Sequence, residues 1–497
     1  MSSELLGTFY FDAASQQEFA RLSGDWNPIH VDPVHARRTQ VGALTVHGIH
    51  IVCRCLEALA DKYAALPEMA RLTARFEKPT FVGDRLAIVL VERTDSQFRI
   101  QARAGDVVTM QLTLQWAGGM PEQHVMPSDL RRSDDETPRE RSFTEIAAAK
   151  GRVASAVTPD EICRPFAGAC RWAGGSRVAA LLCISRVVGM DCPGFYSLLA
   201  GFDLDCSVTP SGSDVSYVVV KSDERLRTVK MAVEGLGVRG IVDTFLRRPP
   251  VRQPSFSEVA ARVEPNEFEG QSALVVGGSR GLGELTSKII AAGGGHPILT
   301  YSVGEKEAEC VQTEIIGSGA HCDVLRYDVR LPAKTQLEQL RDGVAYLYYF
   351  ATCSISRRTS QACDAELLNE FLQFYVHGFQ ELCLALMPLA LGQLSVFSPS
   401  SIFLDKRPTG FTEYVMAKAA CEVMCEDLMR QFSGLKIFTS RLPRLQTDQT
   451  SSFVPAKFPD ALETLLPVIR KVHSRKPPTW DGAPVPNNSN NTRICSA

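Results

Sequence analysis

No two cysteines in this chain are separated by two residues, although it contains fifteen of them. The closest neighbours, Cys53 with Cys55 and Cys421 with Cys425, have no second pair at zinc-site spacing, so no bound metal is expected. An odd count, with Cys53, Cys55, Cys183, Cys383 and Cys421 in apolar runs, argues against a disulfide framework. Reduced core thiols in a cytoplasmic protein are the expectation. Long apolar runs are missing too: no window reaches eighteen residues, so no membrane span is expected. The opening MSSELLGTFYFD lacks a basic segment followed by an apolar one, and no secretory leader is read from it. Charge of either sign is nearly balanced, 53 basic against 56 acidic residues, and no basic stripe marks any predicted helix. Nucleic acid is therefore not an expected partner.

What remains is a globular composition, 45% hydrophobic and 22% charged, spread over 497 residues. That length exceeds what one core organises. Residues 1–119 end in two alternating strand-like runs, 98–104 and 107–116, before a Gly-Gly pair. A polar, proline-bearing linker follows at 120–142. Residues 143–248 carry one apolar helical run near 177–188 and then strands near 195–204, 215–221, 226–233 and 238–246. After a second linker, residues 268–473 alternate short apolar strands with helices, the pattern of a doubly wound parallel sheet. The tail, 474–497, is rich in Pro, Asn and Ser and reads as disordered.

The run from Phe19 to His30 is FARLSGDWNPIH, with Ala36 six positions on. Taken alone, Asp25 followed by Asn27, Pro28 and His30 is what an Asx turn after a glycine cap looks like. With Val46-His47-Gly48 opening a predicted helix, and Phe76-x-Lys78-Pro79 and Gly83-Asp84 later, the set resembles the MaoC-like, R-specific enoyl-CoA hydratases. The resemblance implies a hot-dog fold in which Asp25 and His30 share acid/base work on one water. It also implies that the Gly48 N–H, at a positive helix end, stabilises the thioester oxygen. Residues 143–248 share the helix-then-strands plan but lack this residue set. Residues 1–248 are thus expected to be a double hot dog whose second, non-catalytic unit completes the sheet and part of an acyl tunnel.

Further on, Gly277-Gly-Ser279-Arg280-Gly281-Leu282-Gly283 joins a predicted strand to a predicted helix. Tyr414 and Lys418 stand four apart on a helical face, thirteen residues after Ser401. In this register the segment resembles the short-chain dehydrogenase/reductases. The resemblance implies catalytic Ser401, Tyr414 and Lys418, and a cofactor site at Gly277, Ser279, Arg280, Gly281, Leu282, Gly283, Asp328, Val329, Tyr414 and Lys418. Arg280, with no acid in Thr300-Tyr301-Ser302, favours NADP(H) over NAD. Three family positions differ: Tyr349-Phe-Ala-Thr352 stands for Asn-Asn-Ala-Gly, Tyr375 for the catalytic asparagine, and Pro443-Arg444 for Pro-Gly.

The fold class expected is therefore a double hot dog followed by a Rossmann-type sheet. The function expected is NADPH-dependent 3-ketoacyl reduction coupled to (R)-3-hydroxyacyl dehydration or enoyl hydration, on acyl-CoA or acyl-carrier-protein thioesters. Two alternatives stay open: a hydratase with a structural or NADP-sensing reductase-like domain, and a non-enzymatic thioester-binding scaffold. A homodimer or tetramer is expected through the apolar helices near 379–391 and 414.

Overall fold

The computed structural model describes residues 3–63, 66–116, 137–155, 157–210, 212–340, 343–355, 363–450 and 457–474. Most of the expected linker at 120–142 and nearly all of the expected tail lie outside them.

The N-terminal half is built on one ten-stranded antiparallel sheet. Its strands are β1 (Glu4–Tyr10), β2 (Met69–Phe76), β3 (Arg85–Arg93), β4 (Gln97–Ala104) and β5 (Val107–Trp116). A second set of five follows: β6 (Lys150–Ala154), β7 (Ser197–Asp205), β8 (Asp214–Asp223), β9 (Thr228–Gly235) and β10 (Val238–Leu246). The spatial order is β1-β3-β4-β5-β2-β7-β10-β9-β8-β6. Raising each number of the first half by five produces the second half in mirror order, so the two units are pseudo-equivalent. They join at β2 and β7, where Thr73 faces Asp203. Each unit thereby loses one open sheet edge, a liability for an isolated hot dog.

Each unit wraps a helix. In Gly48–Lys62 the buried residues Ile49, Val52, Cys53, Leu56 and Leu59 recur at helical spacing and face the sheet. The helix Gly175–Arg186 is buried at every residue, because it packs against its own sheet and against the first unit's helices. Both helices contribute to a single hydrophobic core. Among the described residues no single helix is long and apolar enough to cross a membrane. None of the fourteen described cysteines is in a disulfide, and most are buried.

The C-terminal half holds β11 (Ser272–Val276), β12 (His296–Tyr301), β13 (Asp323–Arg326), β14 (Val344–Tyr349), β15 (Ala390–Ser401) and β16 (Leu435–Leu442). All pairs are parallel, in the order β13-β12-β11-β14-β15-β16. The order reverses direction between β11 and β14, and ligands of such sheets bind outside the carboxyl ends of the strands at that switch.

Candidate active sites

The helix Ala13–Ser23 ends at Gly24, whose φ of 71° closes the last turn with an N–H to the Ala20 carbonyl. The next residue, Asp25, is thereby turned inward and is 3% exposed. Its Oδ2 accepts the Ser185 hydroxyl at 2.7 Å and its Oδ1 accepts the Asn27 N–H at 3.3 Å. Burial pushes the carboxyl up to about 6, and the Ser185 and Asn27 hydrogen bonds oppose the rise. Asn27 also pins the loop: its amide donates to the Gly189 carbonyl at 2.8 Å and its Oδ1 caps the short helix Pro28–Val31.

On that helix, His30 Nδ1 meets the Thr45 carbonyl at 2.9 Å. A carbonyl only accepts, so Nδ1 carries the proton and Nε2 keeps a free lone pair. Burial lowers this imidazole to about 4, which leaves it neutral at ordinary pH. The His47 ring stacks on His30 at 3.9 Å and is held between Gln16 Oε1 and the Asp25 carbonyl, each at 3.0 Å. Donor atoms of Asp25, His30 and His47 lie within 4.8 Å of one another, a gap one water bridges. Asp25 and His30 in this trio form an acid/base pair, and the neutral His47 donates to only one of its two acceptors. Gly48 follows as the first residue of its helix, where no preceding turn supplies a carbonyl for the N–H.

The second unit reaches further into this site than its sequence suggested. Ser185 belongs to its buried helix, and the π-helical turn Val187–Asp191 brings Gly189 against Asp25. A Cβ on Gly189 would collide with the Asp25 carboxylate.

At the carboxyl ends of β11 and β14 opens a cavity of about 600 Å³. Gly277, Ser279, Arg280, Gly281, Leu282, Gly283, Asp328, Val329, Ser401, Tyr414 and Lys418 all line it. Gly283 packs on the Gly277 carbonyl, leaving no room for a Cβ, so the helix Gly281–Ala292 starts tight against the strand. Asp328 is engaged by Arg330 at 2.6 Å.

Tyr414 and Lys418 share a face of the helix Thr412–Gln431. Burial raises the Tyr414 hydroxyl, and a hydrogen bond from Ser401 opposes it. Burial, rather than the Lys418 ammonium, dominates the Tyr414 hydroxyl. Lys418 Nζ donates to the Pro399 carbonyl at 2.8 Å and sits 3.9 Å from the centre of the Tyr375 ring. Tyr375 is thus a cation–π partner for the ammonium, and its hydroxyl pairs with Thr352. Arg280, in the cavity lining, also has partners outside its own loop. Its Nη1 donates to the Arg37 carbonyl at 2.7 Å and faces Asp448 at 3.4 Å.

A profile of the MaoC like domain family matches residues 10–112. That stretch holds Asp25, His30 and Gly48. Residues 10–112 form a MaoC-like domain. The chain is 27% identical over 215 residues to a fatty acyl-CoA reductase of Acinetobacter baylyi, covering 40% of this chain and 72% of that protein. It is 26% identical over 107 residues to the short-chain dehydrogenase reductase ATA1 of Arabidopsis thaliana, covering 21% and 39% respectively. A 3-oxoacyl (acyl-carrier-protein) reductase structure from Agrobacterium tumefaciens, with NADP bound, is 25% identical with a TM-score of 0.34. The match covers 37% of this chain and 73% of that one. The parallel-sheet half that follows the MaoC-like domain is similar to short-chain dehydrogenase/reductases.

Sequence reasoning missed several residues of these sites. Ser185 and Gly189 complete the Asp25 pocket from the second hot dog, and Arg37, Gly42 and Ala43 of the MaoC-like domain line the cavity of the reductase domain. No motif marks these positions, because each acts across a contact between units. The buried Asp448 was missed as well: it accepts the Val251 N–H at 2.7 Å and pairs with Arg38 at 3.2 Å.

Proposed function

We propose that the chain is a bifunctional acyl-thioester enzyme. One site hydrates 2-enoyl or dehydrates (R)-3-hydroxyacyl thioesters, and the other reduces the 3-ketoacyl thioester with NADPH. The carrier is coenzyme A or an acyl carrier protein. The observation that carries the reading is the pairing of Asp25 with His30, a carboxyl raised by burial beside a neutral imidazole whose Nε2 is free.

Hydration needs one group to accept a proton from water and one to deliver a proton to the α carbon. His30 Nε2 is the acceptor and protonated Asp25 the donor; dehydration runs the same transfers backwards. The Gly48 N–H faces the thioester oxygen as it gains enolate charge. Crotonyl-CoA hydration by the wild type, lost in Asp25→Asn, tests this site and would exclude a mere binding scaffold.

The cavity at the strand switch suits a dinucleotide: its glycine loop leaves backbone room for pyrophosphate at the start of the helix Gly281–Ala292. Gly277, Ser279, Arg280, Gly281, Leu282, Gly283, Asp328 and Val329 would hold NADP(H), which supplies the hydride. Tyr414 gives its proton to the carbonyl oxygen, Ser401 orients that oxygen, and Lys418 holds the nicotinamide ribose. Loss of NADPH absorbance with acetoacetyl-CoA tests this half.

A second reading rests on Tyr375. With the ammonium drawn over its ring, the reductase domain binds NADP without turnover and the enzyme is a hydratase alone. Binding of NADPH without its oxidation would favour that reading.

A further inference from the structure

The cavity of the reductase domain is not built by that domain alone. Arg37, seven residues after His30 in the MaoC-like domain, lines it. Its guanidinium lies against Gly304, where a Cβ would collide with Nη2. Gly304 follows Ser302 and Val303 just past the carboxyl end of β12, where a Rossmann sheet presents the adenosine ribose 2′ position. Ser302 and Val303 are uncharged, so the charge at that corner comes from elsewhere. Arg280 is tied to the Arg37 carbonyl and to Asp448. The Arg37 fork, by contrast, has one engaged arm, Nη2 on Glu307 at 2.5 Å, while among the described residues its buried Nε has no partner. The second Glu307 oxygen is likewise buried and unpaired. An arginine fork with unused donor capacity beside a 2′ position suits a phosphate, which accepts two parallel N–H bonds.

We propose that Arg37 recognises the 2′-phosphate of the dinucleotide, so that the MaoC-like domain supplies the NADP selectivity of the reductase domain. The assignment rests on the dinucleotide reading above. Glu307 holds the fork in place in the free protein and competes with the phosphate for it.

The test is fluorescence titration of the full-length protein with NADPH and with NADH, for wild type, Arg37→Ala and Glu307→Gln, each first shown by circular dichroism to be folded. Losing a charge-assisted fork on phosphate weakens NADPH binding roughly 10- to 100-fold in Arg37→Ala, leaving NADH within about twofold. Glu307→Gln removes the competitor and tightens NADPH but not NADH. An Arg37→Ala protein that keeps the wild-type preference, or loses both nucleotides equally, overturns the assignment alone. So does a Glu307→Gln protein with weakened or unchanged NADPH binding. Wild type that binds neither nucleotide overturns the dinucleotide reading and this assignment with it.

Discussion

Replacing Asp25 by Asn is expected to stabilise the protein while removing its hydratase activity. The buried carboxyl stands at about 6 instead of 3.8, so folding penalises its ionised form. At 1.36 kcal/mol per pH unit that penalty is about 3 kcal/mol when the group is fully ionised. The sign follows from a folded value above the unfolded one. The penalty is complete above about 6, fades as pH falls toward 3.8, and is absent below it. Asn keeps an oxygen for the Ser185 hydroxyl, so the gain from removing the charge is not lost to an unpaired donor on Ser185. Tryptophan fluorescence in urea is a fitting assay, since Trp26, Trp116 and Trp172 all report from the double hot dog. The variant is expected to gain up to about 3 kcal/mol at pH 8 and almost nothing near pH 4, while crotonyl-CoA hydration falls roughly 10²- to 10⁴-fold. A variant that is less stable at pH 8, or that hydrates normally, refutes the picture of a strained, functional carboxyl.

The same two groups set a pH profile. Hydration needs Asp25 protonated and His30 neutral, so kcat/KM follows a bell with limbs near about 4 and about 6; activity rising steadily to pH 8 contradicts the assigned roles. Ser185→Ala removes a donor that favours the ionised carboxylate, so the alkaline limb moves upward, and a downward move refutes the contact's role. Tyr414→Phe slows NADPH oxidation roughly 10²- to 10⁴-fold with hydration retained, as steady-state assays on both substrates would show. Loss of both activities together would mean that the two sites are not independent. Leu384, Met416, Val423 and Met429 are exposed on the two helices expected to pair, with Val423 62% exposed. Val423→Asp should therefore reduce the light-scattering mass of an oligomer to that of the monomer.

Both fold classes were legible because their periods differ: apolar and polar residues alternate along β5, whereas β11 and β14 are continuous apolar runs between glycine-marked helices. Asp25, His30, Tyr414 and Lys418 were legible because each is tied to its partner by a short, fixed spacing in sequence. Ser185 had no such tie. It lies 160 residues from Asp25, and only the β2–β7 junction brings its helix across. The tie of Arg280 to the Arg37 carbonyl and Asp448 was not legible, because a loop motif carries no information about what a neighbouring domain will bond. Arg37 was invisible for the same reason, standing 243 residues from the Arg280 whose side chain bonds its carbonyl.

Duplication accounts for the asymmetry of the first site. A pseudo-twofold arrangement about β2 and β7 runs the two buried helices in opposite senses past the same point. Gly48 begins its helix there, whereas Ser185 and Gly189 lie at the end of theirs. The pole of unpaired N–H groups suits the thioester oxygen, which gains negative charge. At the other helix end the Gly189 carbonyl accepts the Asn27 amide and so fixes the loop that carries Asp25, whose carboxyl is raised by burial against the opposing charge of Arg186. The second unit's helix end, with Gly189 stripped of any side chain, shapes the pocket around Asp25 instead.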